Sequence, residues 1–291
     1  MIRCFFVFLS GFVLTFFALP NLLKQQYQIA QPTAPKEEKP FVVLMSCYNN
    51  AAYVRKTLQS VAEQVYGNFR LIYIDDASTD DNFSVAKEVV AAYGLEEKAT
   101  MIRNKKNVGA MANHVNAVGM CKDREIIVLL DGDDSFSNPY VLEKLNQVYA
   151  NPHVWLTYGS HIEVPTHNLG KLAQPVPKKV LEEGTIRKCK WTTSHLRTYY
   201  AGLAKKIRLE DQKDRGKYLP STSDLATMLP MIDMARLHAY YIPDCLVLYQ
   251  SDNPLSDCFV RGNTQFSLAE KIRNIPPYEE LQVLFNPNRE E

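Results

Sequence analysis

Four short strand-like runs, Phe41 to Ser46, Phe69 to Ile74, Thr100 to Arg103 and Glu125 to Leu130, alternate with stretches of helical spacing. That alternation leaves few folds open. In the first helical stretch Val54, Leu58, Val61 and Val65 recur at three- and four-residue intervals. Phe83 to Tyr93, closed by Gly94, and Val108 to Cys121 follow the second and third runs. Near-continuous apolar strands are buried on both faces, and strand–helix alternation implies right-handed crossovers with helices on both sides. The expected fold class is α/β, a single doubly wound and mostly parallel sheet. Ligands of such sheets bind outside the carboxyl ends of the strands.

Those ends carry Ser46-Cys47-Tyr48-Asn49, Asp75-Asp76, Asn104 to Gly109, and Asp131-Gly132-Asp133-Asp134. Three carboxylates within four residues repel one another unless a cation or hydrogen-bond donors share the site. Mg²⁺ or Mn²⁺ meets that need, since both take hard oxygen ligands and complete their shells with substrate phosphates. Alone, the four residues read equally well as a solvated acidic turn opening the next helix. Polar residues at the other strand ends favour a ligand cleft. Net charge is only +1, from 33 basic and 32 acidic residues, so no global field favours nucleic acid and no nucleic-acid partner is expected. Six cysteines without C-x-x-C spacing argue against a zinc site.

Ser-Cys-Tyr-Asn, Ile-Asp-Asp-Ala-Ser-Thr-Asp-Asp, Asn-Val-Gly and Leu-Asp-Gly-Asp-Asp, in this order, resemble family 2 glycosyltransferases with the A-type nucleotide-sugar fold. The resemblance covers Val42 to about Tyr149. It implies that Ser46, Tyr48 and Asn49 line a nucleotide cleft and that Asp75 or Asp76 reads the base, most often uracil, through its ring N–H. Asn107 and Gly109 of the Asn-Val-Gly motif join the nucleotide-sugar site. Asp131 contacts the ribose, Asp133 holds the metal bridging the diphosphate, Asp134 supports it as a second metal ligand, and Gly132 leaves room for the diphosphate. One departure stands in the third helix, where the family's Arg-Asn is replaced by Asn113-His114-Val115-Asn116.

Beyond the acids, Pro139 to Ala150 reads as a helix, Val154 to Val164 as a strand, and Pro165 to Pro177 as a loop facing solvent or acceptor. Thr193 to Tyr200 reads as a helix capped by Ser194, carrying His195 and Arg197. His195 suits a metal or the leaving group and Arg197 suits a phosphate, while both also fit ordinary helix polar positions. Tyr241 to Tyr249 reads as a late strand and Gln265 to Ile272 as a final amphipathic helix. The family supplies a general base as an aspartate after the acceptor-binding segment. Asp224, opening a helix after Ser221-Thr222-Ser223, matches it, although Ser223 stands where members often carry an acid. Asp211 and Asp233 are the reserves.

The resemblance thus implies a metal-dependent inverting transfer of sugar from a nucleotide diphosphate sugar, UDP-linked by expectation, to a glycan, lipid or protein acceptor. Gln212-Lys213-Asp214-Arg215 is followed by Gly216, so the Q-x-x-R-W signature of processive synthases is absent and a single transfer per encounter is expected. Competing readings are a nucleotidyltransferase, which lacks its Gly-rich Lys-bearing loop here, and a non-catalytic membrane-tethered binder of nucleotide sugars or glycans. A Rossmann G-x-G-x-x-G does not follow the first strand.

Residues 1–23 carry the uncharged stretch between Arg3 and Lys24 and read as a transmembrane signal anchor. Residues 24–40 read as a stem. Residues 41–291 form the glycosyltransferase domain, with 41–135 as nucleotide-sugar half and 136–291 as acceptor half. The expected location is a single-pass membrane anchor, lumenal on Golgi or ER in a eukaryote or virus and cytoplasmic-facing in a bacterium.

Overall fold

The computed structural model describes residues 37–170, 173–256 and 262–285. Side chains that alternate along β1 (Phe41–Cys47) go to opposite faces of the sheet. Val42 and Leu44 enter one apolar cluster with Ile72, Ile74 and Ile127, while Phe41, Val43 and Met45 enter a second with Leu71, Tyr73, Ile126 and Val128. Both faces are covered, which is why these strands read as unbroken apolar runs. Each fully buried aliphatic side chain contributes roughly 1.5 to 3 kcal/mol relative to exposure.

In chain order, α1 (Ala51–Ala62) follows β1 and buries Val54, Leu58 and Val61. Val65, expected on the same stripe, lies beyond the helix end and is exposed. Next come β2 (Phe69–Asp75), α2 (Asn82–Ala92), β3 (Ala99–Arg103), α3 (Ala110–Gly119) and β4 (Ile126–Leu129). The two-residue strand β5 (Ser135–Phe136), α4 (Val141–Tyr149), β6 (Leu156–Val164), α5 (Lys178–Glu183) and β7 (Ser194–Tyr200) follow. A hairpin of β8 (Lys213–Asp214) and β9 (Lys217–Tyr218) turns through Arg215 and Gly216, both at positive φ. Helix α6 (Ser223–Ala235), β10 (Ala239–Gln250) and α7 (Gly262–Asn274) complete the described elements, all within the unit Glu38–Glu291.

The eight-stranded sheet has the order β3-β2-β1-β4-β7-β6-β10-β5. Strands β3, β2, β1 and β4 are mutually parallel. The order reverses at β1, with β2 on one side and β4 on the other, so a switch-point crevice opens at their carboxyl ends. The other half is mixed: β7 runs antiparallel to β4 and β6, β6 and β10 are parallel, and β5 is antiparallel to β10. The mostly parallel sheet is thus completed by antiparallel insertions.

Two expectations are corrected. Thr193 to Tyr200 is not a helix; Ser194–Tyr200 is a strand in the middle of the sheet, with Leu129 opposite Arg197 and Leu156 opposite Tyr199. Its β-branched and aromatic run Thr198-Tyr199-Tyr200 suits a pleated position between two strands, and Thr198 Oγ1 shares hydrogen bonds with Tyr149 and Thr157 in the core. The membrane placement is also overturned, since no helix among the described residues is long and apolar enough to cross a membrane. The apolar stretch and most of the stem on which it rested, residues 1–36, lie outside the described residues.

Candidate active site

The chain leaves β4 through Leu130 to Asp134 and re-enters the sheet as β5, beyond β7, β6 and β10. The acidic stretch therefore runs across the ends of strands far apart in sequence. Gly132 allows it to lie against β1: a Cβ there would meet Cys47 Sγ at 2.5 Å and Cys47 Cβ at 3.2 Å. This packing requirement stands beside the room for diphosphate that the resemblance implies. Gly132→Ala is expected to cost about 1 to 3 kcal/mol by overpacking, and Cys47→Ala in the same chain should return most of it; denaturant midpoints of the single and double variants check this.

Asp134 is fully buried. Its Oδ1 accepts the Gln250 N–H at 2.9 Å, while Oδ2 has no hydrogen-bond partner. Burial first, then the charges of Asp131 and Asp133, hold its pKa well above the usual carboxylate value. His195 Nδ1 lies 3.8 Å from Asp134 Oδ2 and 3.8 Å from Asp131 Oδ2. Burial, Arg197 and His161 push the His195 pKa well below the usual value, so at neutral pH the ring is an uncharged imidazole, the form that ligates metals. Its ring packs against His161 and Tyr249, at centroid distances of 5.7 and 5.2 Å.

The ligand atoms of Asp131, Asp134 and His195 all lie within 4.8 Å of one another. Two carboxylates, one with an orphaned buried oxygen, and a neutral imidazole suit a divalent ion of the Mn²⁺ or Mg²⁺ type. The cluster differs from the expected pair. Asp134 is common to both, Asp131 and His195 join it, and Asp133 Oδ2 instead accepts the Asn253 amide at 2.6 Å. Burial raises the Asp133 pKa while that bond lowers it.

Arg197 is buried and reaches two acids: Nη2 is 3.6 Å from Asp131 Oδ2 and Nη1 is 3.5 Å from Asp224 Oδ2. Its Nε has no partner. Asp224 lies in the first turn of α6, so one guanidinium links the acidic cluster to the expected base. The reserves serve structure. Asp233 is buried against Arg187 at 2.7 Å, and Asp211 accepts from Arg208 and Tyr278.

The remaining expected residues form a second network at the ends of β1 to β3. Asp76 is buried and holds the loop before α3, accepting from Asn104 Nδ2, Val108 N and Gly109 N at 2.7 to 2.9 Å. Gly109 adopts φ +88 there. Asp75 accepts from Asn82 Nδ2 and Ser78 N and lies 3.4 Å from Arg103 Nε. Asn82 is fully buried in this bond, which removes the formal Asn82-Phe83-Ser84 sequon from the surface. Asn49 Oδ1 takes the Thr79 N–H, and its own N–H donates to Ser78 Oγ. Ser46 Oγ accepts from Asn113, whose Oδ1 accepts from Asn104. Tyr48 and Asn107 are exposed. Asn113, His161, Tyr249 and Asn253 were not nominated from sequence. Asn113, in the departing third-helix motif, was the one with a visible signal.

The fold is thus an α/β sheet with an acidic stretch crossing its switch-point edge. Residues 42–208 match the family model "Glycosyl transferase family 2", more than half of the chain, and the protein belongs to that family. It is 28% identical over 129 residues to an uncharacterized glycosyltransferase of Haemophilus influenzae, a match covering 44% of this chain and 38% of that relative. Matches to the next two curated relatives cover 35% and 46% of their lengths, so the chain spans less than half of each. Among solved structures, S. aureus TarS 1-349 in complex with UDP-GlcNAc aligns with a TM-score of 0.58 at 17% identity, covering 80% of this chain and 65% of that one. The mannosyltransferase PcManGT of Pyrobaculum calidifontis, in complex with GDP-Man and Mn²⁺, aligns with a TM-score of 0.57 at 17% identity, covering 91% and 73%. At these identities the likeness establishes the shared fold.

Proposed function

We propose that this chain is a non-processive, metal-dependent glycosyltransferase that moves a sugar from a nucleotide diphosphate sugar to an acceptor hydroxyl with inversion. The observation that carries it is the convergence of Asp131, Asp134 and His195 on one point, linked through Arg197 to Asp224. A donor complex with UDP-GlcNAc in TarS and one with GDP-Man and Mn²⁺ in PcManGT support the donor class. A UDP-linked sugar is the proposed donor, and a glycan, lipid or protein hydroxyl the acceptor. The nucleotide-sugar half is placed at residues 41–135 and the acceptor half at 136–291.

Asp131, Asp134 and His195 would hold Mn²⁺ or Mg²⁺, with Asp133 kept beside them by Asn253. When bound, such an ion neutralises diphosphate charge and favours its departure. The chain supplies the rest. Arg197 offers a fixed guanidinium, with an unpartnered Nε, to the charge that grows on the leaving diphosphate. Asp224 takes the proton of the acceptor hydroxyl as its oxygen attacks the sugar from the face opposite the leaving group. The same guanidinium orients the Asp224 carboxylate. Ser46, Tyr48, Asn49, Asn107, Gly109 and Gly132 are assigned to the rim of the donor site. Asp75, at 0% exposure with both oxygens engaged by the chain, fixes the loop, which leaves Asp76, 3% exposed, as the acid assigned to the base.

Asp224→Asn tests the base. Donor hydrolysis, with water as acceptor, should fall by roughly 10²- to 10⁴-fold while the UDP dissociation constant in Mn²⁺ stays within about twofold. Full hydrolysis in the variant would remove Asp224 from the mechanism.

A further inference from the structure

A cleft of about 620 Å³ opens between the segment after α5 and the end of α7, and it shares no residue with the acidic cluster. Its walls include Arg187, Lys188 and Arg273 against a single acid, Glu270, with Pro276 and Pro277 forming an apolar side. Arg187 is 7% exposed. Its Nε bonds Asp233 and its Nη1 bonds the Ile272 carbonyl, while Nη2 has no partner. Arg273 spends Nη1 on the Arg187 and Cys189 carbonyls, and burial followed by the Arg187 charge lowers its pKa. A third guanidinium, Arg236, packs behind the wall residue Gly184, with Nε and Nη1 buried and unpartnered. Three cations thus line the cleft against one lining acid, Glu270, while Asp233 takes a single N–H of Arg187.

Buried guanidinium N–H groups without acceptors are costly, and guanidinium forks match the oxygens of phosphate. A tetrahedral dianion supplies several acceptors and the missing negative charge at once. We propose that this cleft is a second anion site, separate from the donor site, for a small phosphate monoester whose organic part rests on the Pro276 and Pro277 side.

Calorimetric titration of the full-length protein with inorganic phosphate tests this, run in a chloride buffer without divalent metal. Binding should be saturable with one site. Lys188→Gln, at an exposed position, and Arg273→Lys should each weaken it by roughly tenfold, with unchanged circular dichroism. Asp224→Asn and His195→Ala should leave it unaltered, because they lie in the other site. Absence of saturable binding overturns the proposal. So does binding that survives Lys188→Gln and Arg273→Lys together, or that is lost in His195→Ala, since it would then belong to the donor site. Loss of donor hydrolysis in any variant bears on the transferase reading alone and leaves the phosphate isotherm as the readout of this site.

Discussion

Asp134→Asn is expected to lower donor hydrolysis and transfer by on the order of 10³-fold and, at the same time, to stabilise the metal-free protein by about 1 to 3 kcal/mol. Both effects come from one orphaned oxygen. Asp134 is fully buried, and Oδ2 has no hydrogen-bond partner, so the ionised metal-free fold carries a buried carboxylate oxygen without a partner. The asparagine keeps the acceptor for Gln250 N–H and places an amide donor where His195 Nδ1 and Asp131 Oδ2 lie 3.8 Å from one another. It relieves the fold and removes a proposed metal ligand.

The pH dependence has a definite sign. The folded Asp134 pKa is raised above the ordinary 3.8, so over the interval between the two values the folded state holds a proton that the unfolded chain has lost. Stability of the metal-free protein therefore falls as pH rises through that interval. Mn²⁺ at the proposed site is expected to bind the ionised folded form and to oppose the fall. In Asp134→Asn this part of the pH profile flattens and the Mn²⁺ response shrinks. Thermal melts from pH 4 to pH 8, with Mn²⁺ and with chelator, measure all of these. A variant that is less stable than the parent without metal would contradict the buried-charge account.

Arg187→Met is expected to destabilise the protein by about 3 to 5 kcal/mol. Asp233, at 0% exposure, has its Oδ2 on Arg187 Nε at 2.7 Å and its Oδ1 without a partner. Burial already raises its pKa despite the opposing guanidinium. Removing Arg187 leaves the buried charge to the backbone N–H of Tyr278, 3.2 Å away, and to the field of Arg236, which makes no hydrogen bond to it. Arg187→Met with Asp233→Leu should recover most of the loss, because the penalty comes from the stranded carboxylate rather than from the missing pair. Equal destabilisation in single and double variants would assign the effect to packing instead.

Strands β1 to β4 and their helices were legible because each is buried on both faces and locally patterned, as Val42 and Leu44 against Val43 and Met45 illustrate. The central strand β7 was not. Ser-His-Leu-Arg-Thr-Tyr-Tyr presents no apolar period of its own, and its conformation is decided by β4 and β6 on either side. The two-residue β5 is set by its partner β10 in the same way. In the site, the acids were visible as a run, but their division of labour was not. Whether Asp131 or Asp133 faces His195 depends on Asn253, 120 residues away, which captures Asp133. Asp75 and Asp76 showed as acids at a strand end, while the loop amides that occupy them come from residues up to 33 positions further on. Chemistry was readable from residue type; pairing depended on topology.

Metal-dependent sugar transfer is tested by nucleoside diphosphate release by the full-length protein from a panel of UDP- and GDP-sugars, with Mn²⁺ and with chelator. Release is expected from at least one UDP-sugar in Mn²⁺, with background levels in chelator and background levels for Asp134→Asn under both conditions. Equal release with and without metal, or no release from any sugar nucleotide by a folded protein in Mn²⁺, would contradict it.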